Sequence, residues 1–177
     1  MAKTILSKLD YSGIIILILG SALPAHTYPF VCPSTFKIRN IFLVIICTSC
    51  TLCFLAITTP FFQSKGYRPI LALLFVIMGL SAAAPLYYII NFAEDTFGYT
   101  KPYTAMELVY WWLGGFFYIS GGILYGMNFP ERLFPRKFDM CGQSHQIFHI
   151  LIVFGAFSHL HASYLLYVDR VNVYKFC

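Results

Sequence analysis

The sequence predicts an all-α fold, a polytopic membrane bundle of five transmembrane helices, on three observations. Of 177 residues, 59% are hydrophobic and only 11% are charged, where a soluble domain averages roughly 25% charged residues. Mean hydropathy is +0.72. Five apolar stretches each reach the roughly 20 residues that a membrane-crossing helix needs, and the short connections between them hold nearly all the charges. Residues 1–177 read as one integral membrane domain, without a soluble module or a low-complexity tract.

The first stretch, Tyr11–Tyr28, follows Lys3 and Lys8. A secretory signal peptide would need small residues at both cleavage-specifying positions near Ala22–Ala25. They are missing and the apolar run continues, so this is the first membrane helix. The second, Arg39–Thr59, carries Cys47, Cys50 and Cys53 at three-residue steps. That spacing can bind metal, but thiols on a membrane helix lack the loop context of a zinc site and read as small, polarisable packing residues. The third is Pro69–Phe92. Pro85 inside it and Pro24 inside the first should kink or locally unwind their helices. The fourth, Glu107–Met127, has Gly114 and Gly121 seven apart and a small-xxx-small pair at Gly122 and Gly126, which predicts close backbone contact with neighbouring helices. The fifth is Ser144–Tyr167. Tyr28, Tyr67, Tyr99, Tyr103, Trp111 and Tyr167 lie near segment ends, where amphipathic rings anchor at the interface.

Five spans put Lys3, Lys8, Lys65, Arg68, Arg132, Arg136 and Lys137 on one side and Lys37, Arg39, Lys101, Arg170 and Lys175 on the other. The bias favours an N-terminus inside and a C-terminus outside. Cys32 and Cys177 then both fall outside, where a disulfide between them is conceivable. The formal charge of +5 is spread over both faces. With no basic stripe and interleaved aromatics, the sequence does not point to nucleic acid as a partner.

The fifth span opens with Gln143-Ser144-His145-Gln146-Ile147-Phe148-His149. Four residues are slightly more than one helical turn, so His145 and His149 share a face and can grip one metal ion. Ionisable groups at membrane depth are costly and usually mark a site. Asp10 stands at the threshold of the first span, at the same membrane depth as this pair. It either supports a metal ligand or a metal-bound water, or caps its helix and complements the helix dipole. His26 is sixteen residues beyond Asp10, roughly 24 Å along a helix. His159 is fourteen beyond His145, roughly 21 Å. These two, with His161, are too far to join the site and read as snorkelling interfacial residues.

Three ordered motifs now make a family resemblance specific. They are Ser7-Lys8-Leu9-Asp10-Tyr11-Ser12-Gly13-Ile14, Pro130-Glu131-Arg132-Leu133-Phe134-Pro135-Arg136-Lys137-Phe138-Asp139, and Ser144-His145-Gln146-Ile147-Phe148-His149. Together they resemble the progestin and adipoQ receptor family, the group of adiponectin receptors and hemolysin III-like proteins, from Lys3 to about Tyr164. The resemblance implies seven transmembrane helices with a cytosolic N-terminus, of which the five here match the last five. It implies a zinc ion near the cytosolic side, held by three histidines. Two of these match His145 and His149, and Asp10 matches an aspartate that contacts the zinc-bound water. The third histidine belongs to the helix preceding the first span here, and the sequence has no counterpart of it. The expectation is therefore a truncated chain, with a five-helix paralogue that has lost activity as the alternative.

Two functions follow. One is a receptor-like protein of lipid-linked signalling with an extracellular ligand, in which zinc pins the last helix to its neighbours. The other is a zinc-dependent hydrolase of a ceramide-like amide in the lipid bilayer, with Asp10 as the catalytic proton acceptor. The sequence shows no intramembrane charge pairs or repeated half-helices of the kind that mark transporters.

Overall fold

The computed structural model describes residues 2–63, 65–97, 105–138 and 140–173. They form five long helices: α1 (Ala2–Thr27), α2 (Phe36–Thr58), α3 (Arg68–Phe97), α4 (Ala105–Met127) and α5 (Ser144–Val173). Short 3₁₀ turns lie in the α1–α2 and α2–α3 connections, and no strand occurs among the described residues. The all-α expectation holds. All five helices are long and apolar enough to cross a membrane, over Lys8–Phe30, Pro33–Thr58, Pro69–Phe92, Met106–Met127 and Ser144–Val168. Tyr99, Tyr103 and Cys177 lie outside the described residues.

Helices that are apolar all round cannot tell inside from outside by hydrophobicity, because lipid is as apolar as a leucine core. Accordingly Ile16, Leu73, Phe116, Val153 and Phe157 are well exposed on the outer faces, while residues of the same kinds, such as Ile18, Ile46, Leu166 and Phe148, are buried in the interior beside small ones. The glycines of α4 show how. A Cβ on Gly114 would lie 2.1 Å from the His159 ring, and one on Gly121 3.1 Å from Phe148. That row packs on α5. Gly122 and Gly126 instead face Val76 and Ala72 of α3. Two glycine spacings on one helix thus serve two neighbours, and α4 sits between α3 and α5.

Polar side chains join the helices in pairs. Ser49 and Ser81 hydroxyls meet at 2.8 Å between α2 and α3, and the Ser21 and Tyr118 hydroxyls at 2.8 Å between α1 and α4. Lys8 donates to the Thr58 carbonyl at 2.8 Å, which ties the start of α1 to the last turn of α2. Cys50 and Cys53 are buried in the core, and the Cys53 thiol donates to the Leu74 carbonyl at 3.4 Å. Cys32 is disulfide-bonded. Pro24 and Pro85 both sit inside helices.

Three sequence expectations are corrected. Trp111 is only 2% exposed and packs in the interior, so it is no interfacial anchor. His26 and His159 are 0% and 4% exposed. They do not snorkel, because each ring N–H donates to a helix carbonyl inside the bundle: His26 Nδ1 to the Ala22 carbonyl at 2.9 Å and His159 Nε2 to the Trp111 carbonyl at 3.2 Å. Asp10 stands at the start of the membrane span Lys8–Phe30 as expected, but it does not cap α1. It lies more than two turns beyond the start of α1, where no unpaired backbone N–H remains for it to cap.

Candidate metal centre

The chain segment before α5 decides where its first histidine sits. α4 ends with Asn128 in the left-handed region at φ 51°. The Asn128 N–H bonds the Tyr125 carbonyl and the Phe129 N–H the Leu124 carbonyl, which is the double bond pattern of a Schellman stop. The loop that follows carries Glu131 back to the start of α5. There one Glu131 oxygen accepts the Ser144 backbone N–H at 2.8 Å and the Ser144 hydroxyl at 2.9 Å. Gln146 reaches back to the Gly142 and Gln143 N–H groups at 2.7 and 3.3 Å. The Ser144 N–H and the two N–H groups just before the helix are thereby satisfied, and the helix is held by its end immediately before His145.

From this anchored turn, His145 and His149 project from one face with ring centroids 4.6 Å apart. Asp10 meets them from α1. Its Oδ2 lies 3.1 Å from His145 Nε2 and 3.2 Å from His149 Nε2, and the two Nε2 atoms are 3.0 Å apart. The side chains are 32–37% exposed. These three residues are the group among the described residues whose donor atoms could hold a metal ion together. The structure thus brings all three sequence-singled site residues to one point.

The convergence has a chemical meaning. A neutral imidazole nitrogen without its proton and a carboxylate oxygen are both acceptors. With the ring protons on Nδ1 the three atoms can surround one cation, whereas a ring protonated on Nε2 donates to Asp10 Oδ2 instead.

Sequence reasoning missed the side chains that brace this triangle. The Tyr11 ring stacks on His145 at 5.6 Å and 26°, and Tyr125 of α4 lies 5.5 Å from the same imidazole. The two tyrosine hydroxyls are hydrogen-bonded to each other. Tyr125, 1% exposed, also stacks on Phe148. Their signal in the sequence was faint. Tyr11 and Glu131 fall within the motifs quoted above, but nothing marked them apart from their neighbours. Tyr125 belongs to no motif.

A groove of about 290 Å³ runs between α1 and α5 and ends at the triangle. Asp10 and His149 form its polar end, and Ile14, Leu17, Ile152 and Val153 contribute apolar walls.

The haemolysin-III related family model matches residues 1–160. Among curated proteins, the chain is 38% identical over 160 residues to the ADIPOR-like receptor IZH2 of Saccharomyces cerevisiae, covering 89% of this chain and 48% of that protein. It is 38% identical over 158 residues to heptahelical transmembrane protein 4 of Arabidopsis thaliana, covering 89% and 39%. Against progestin and adipoQ receptor-like protein 1 of Caenorhabditis elegans it is 36% identical over 175 residues, covering 95% and 37%. The chain therefore spans about half or less of the length of the curated relatives it matches. Nearly the whole sequence is matched, and the chain belongs to the haemolysin-III related family of integral membrane proteins, alongside adiponectin-receptor-like and progestin and adipoQ receptor-like proteins.

Proposed function

We propose that this chain is the zinc-binding membrane core of an adiponectin-receptor-like protein of lipid-linked signalling. The observation that carries the reading is the triangle of His145, His149 and Asp10 donor atoms at 3.0–3.2 Å. Tetrahedral zinc binds nitrogen and oxygen at about 2.0–2.1 Å, which keeps its donors roughly 3.3 Å apart. The triangle therefore needs only a slight opening to admit the ion. Two imidazoles and one carboxylate form a borderline donor set that suits zinc better than magnesium or calcium, though it also suits iron.

His145 and His149 would hold the metal from α5, and Asp10 would contribute from α1 as third ligand or as acceptor for a neighbouring water. Tyr11 and Tyr125 fix the orientation of the His145 ring, and Glu131 fixes the turn from which it projects. The ion would then join the first and last helices of this chain across an otherwise apolar seam. Metal analysis of the purified chain tests this. The expected result is close to one zinc per chain, lost in His145→Ala/His149→Ala. Equal zinc in both proteins, or iron in its place, would remove the reading.

A second reading, hydrolysis of a ceramide-like amide, draws support from the groove between α1 and α5. Its apolar walls suit an acyl chain, and its polar end brings that chain to Asp10 and His149. Zinc, when bound, supplies a Lewis acid and a water of lowered pKa. Asp10 would take a proton at Oδ2 and return it to a leaving amine. Sphingoid-base release that His149→Ala and chelation both abolish is expected. Turnover surviving both changes would leave only the receptor reading, in which zinc removal lowers the melting temperature and no lipid is cleaved.

The orientation proposed is N-terminus cytosolic and C-terminus outside. It rests on the lysine and arginine bias and on disulfide-bonded Cys32. That cysteine follows the far end of α1 from Asp10, and disulfides persist in oxidising compartments. The metal site then faces the cytosol, and an extracellular ligand would meet the opposite end.

A further inference from the structure

The loop between α4 and α5, residues 128–143, joins the end of one membrane span at Met127 to the start of the next at Ser144. Both its ends therefore lie at the edge of the bilayer. On this side of the five spans fall seven of the twelve Lys and Arg residues, but only three of the seven carboxylates. Of those three, Asp10 belongs to the triangle and one Glu131 oxygen is held by Ser144. Asp139 lies outside the described residues.

The loop is folded on itself. The Arg132 N–H donates to the Asn128 carbonyl at 2.8 Å, the Leu133 and Phe134 N–H groups to the Pro130 carbonyl at 3.0 and 3.2 Å, and the Lys137 N–H to the Phe134 carbonyl at 3.2 Å. The Schellman stop fixes its start. Phe138 packs over Gly142 near its end, where an added Cβ would lie 3.0 Å from the ring. Groups held in place this way lose little freedom when they bind.

What these turns hold outward is mixed. Leu133, Phe134 and Met140 are 62%, 50% and 90% exposed, and Arg132, Arg136 and Lys137 are exposed with them. The Lys137 ammonium lies 5.7 Å from the centre of the Phe134 ring, close enough for a cation–π contact. That ring in turn packs against Phe138 at 6.1 Å, so charge and apolar surface meet in one patch. Arg136 supplies an independent sign. Its φ of 71° is left-handed, a conformation that glycine and asparagine adopt at lower cost. An exposed arginine gains little packing to offset that strain, and such strain clusters at binding sites.

We propose that this loop is a docking surface for an anionic phospholipid of the adjoining leaflet. Arg136 and Lys137 hold the headgroup phosphate, for which a guanidinium is the matching donor. Leu133, Phe134 and Met140 enter the interface beside it. A soluble phosphate engages the cations and leaves the apolar half of the patch in water, whereas a lipid satisfies both halves. The orientation proposed above decides only that this is the cytosolic leaflet, which is the one that carries anionic lipid. The surface is separate from the Asp10 triangle and needs no metal.

The test purifies the full chain from vesicles of equal phosphatidylserine and phosphatidylcholine and counts retained lipid by native mass spectrometry. Each basic residue beside an anionic membrane contributes roughly five-fold, so phosphatidylserine should be retained about ten-fold or more over phosphatidylcholine. Arg132→Gln/Arg136→Asn/Lys137→Gln should abolish the preference, and Lys37→Gln/Arg39→Gln on the opposite side should leave it intact. Arg136→Asn alone separates binding from folding, because asparagine relieves the backbone. The preference should then fall about five-fold with no loss of thermal midpoint. Soluble glycerophosphoserine should not displace the lipid. Equal retention of both lipids, a preference that survives the triple change or is lost in the opposite-side pair, or displacement by the soluble headgroup would each overturn the proposal.

Discussion

At one end of the bundle, His145 and His149 turn their Nε2 atoms toward each other and toward Asp10, at 3.0–3.2 Å and about one-third exposed. Toward the other end, His26 and His159 are nearly sealed from solvent, and each bonds helix carbonyl groups. Both pairs sit on apolar helices, so neither residue type nor hydropathy separates them. What separates them is the arrival of a second acceptor. α5 supplies two imidazoles one turn apart, and α1 brings a carboxylate to the same point. No such convergence gathers His26 and His159. A membrane histidine is a metal-ligand candidate when its neighbours are a second imidazole and a carboxylate, and a packing group when they are carbonyls and indoles.

The contrast breaks most sharply if His149→Ala retains metal. Loss of one of three donors should weaken zinc binding by about 100-fold or more, read by competition with a zinc-sensitive chelating dye. An unchanged dissociation constant would mean that the triangle is only a hydrogen-bonded cluster.

The opposite end should respond in stability instead. Gly114→Ala places a Cβ 2.1 Å from the His159 ring. Overpacking of this kind costs about 1–3 kcal/mol, and the thermal midpoint in detergent should fall while zinc affinity stays within about two-fold. A matching loss of zinc affinity would show that the two ends are coupled through α5.

Glu131→Ala should act between these extremes. It removes the acceptor that caps the first turn of α5, worth about 1 kcal/mol, and should lower zinc affinity by less than about ten-fold. Glu131→Gln keeps an acceptor oxygen and should recover most of it. If the glutamine variant is as impaired as the alanine, the carboxylate charge matters rather than the cap.

The smallest effect belongs to His26→Phe. One helix hydrogen bond is lost, worth about 1 kcal/mol, and metal affinity should not move. A clear drop in zinc affinity would erase the distinction between the two ends.

The five spans and the shared face of His145 and His149 were legible from the sequence because they depend on length, composition and a four-residue step along one helix. The two glycine rows of α4 were legible as contact points but not by partner. One row meets α5 and the other α3, and nothing in the spacing says which. Trp111 and His159 were misplaced at the interface for a related reason. Their position along a span was readable, but their direction around it was not.

By itself, then, the sequence determined the all-α membrane bundle, the resemblance to the progestin and adipoQ receptor family, and the three residues Asp10, His145 and His149 at a common depth. Only the tertiary structure decided that Asp10 lies inside α1 rather than at its start, and that its Oδ2 comes within 3.2 Å of both imidazoles. The same holds for the bracing of His145 by Tyr11 and Tyr125, and for the pairing of Trp111 with His159. The physical reason is shared. In an amphipathic helix the apolar stripe announces which side faces inward, whereas a membrane helix is apolar around its whole circumference. Its rotation and its neighbours are set by side-chain fit between helices, a long-range property that no local pattern records.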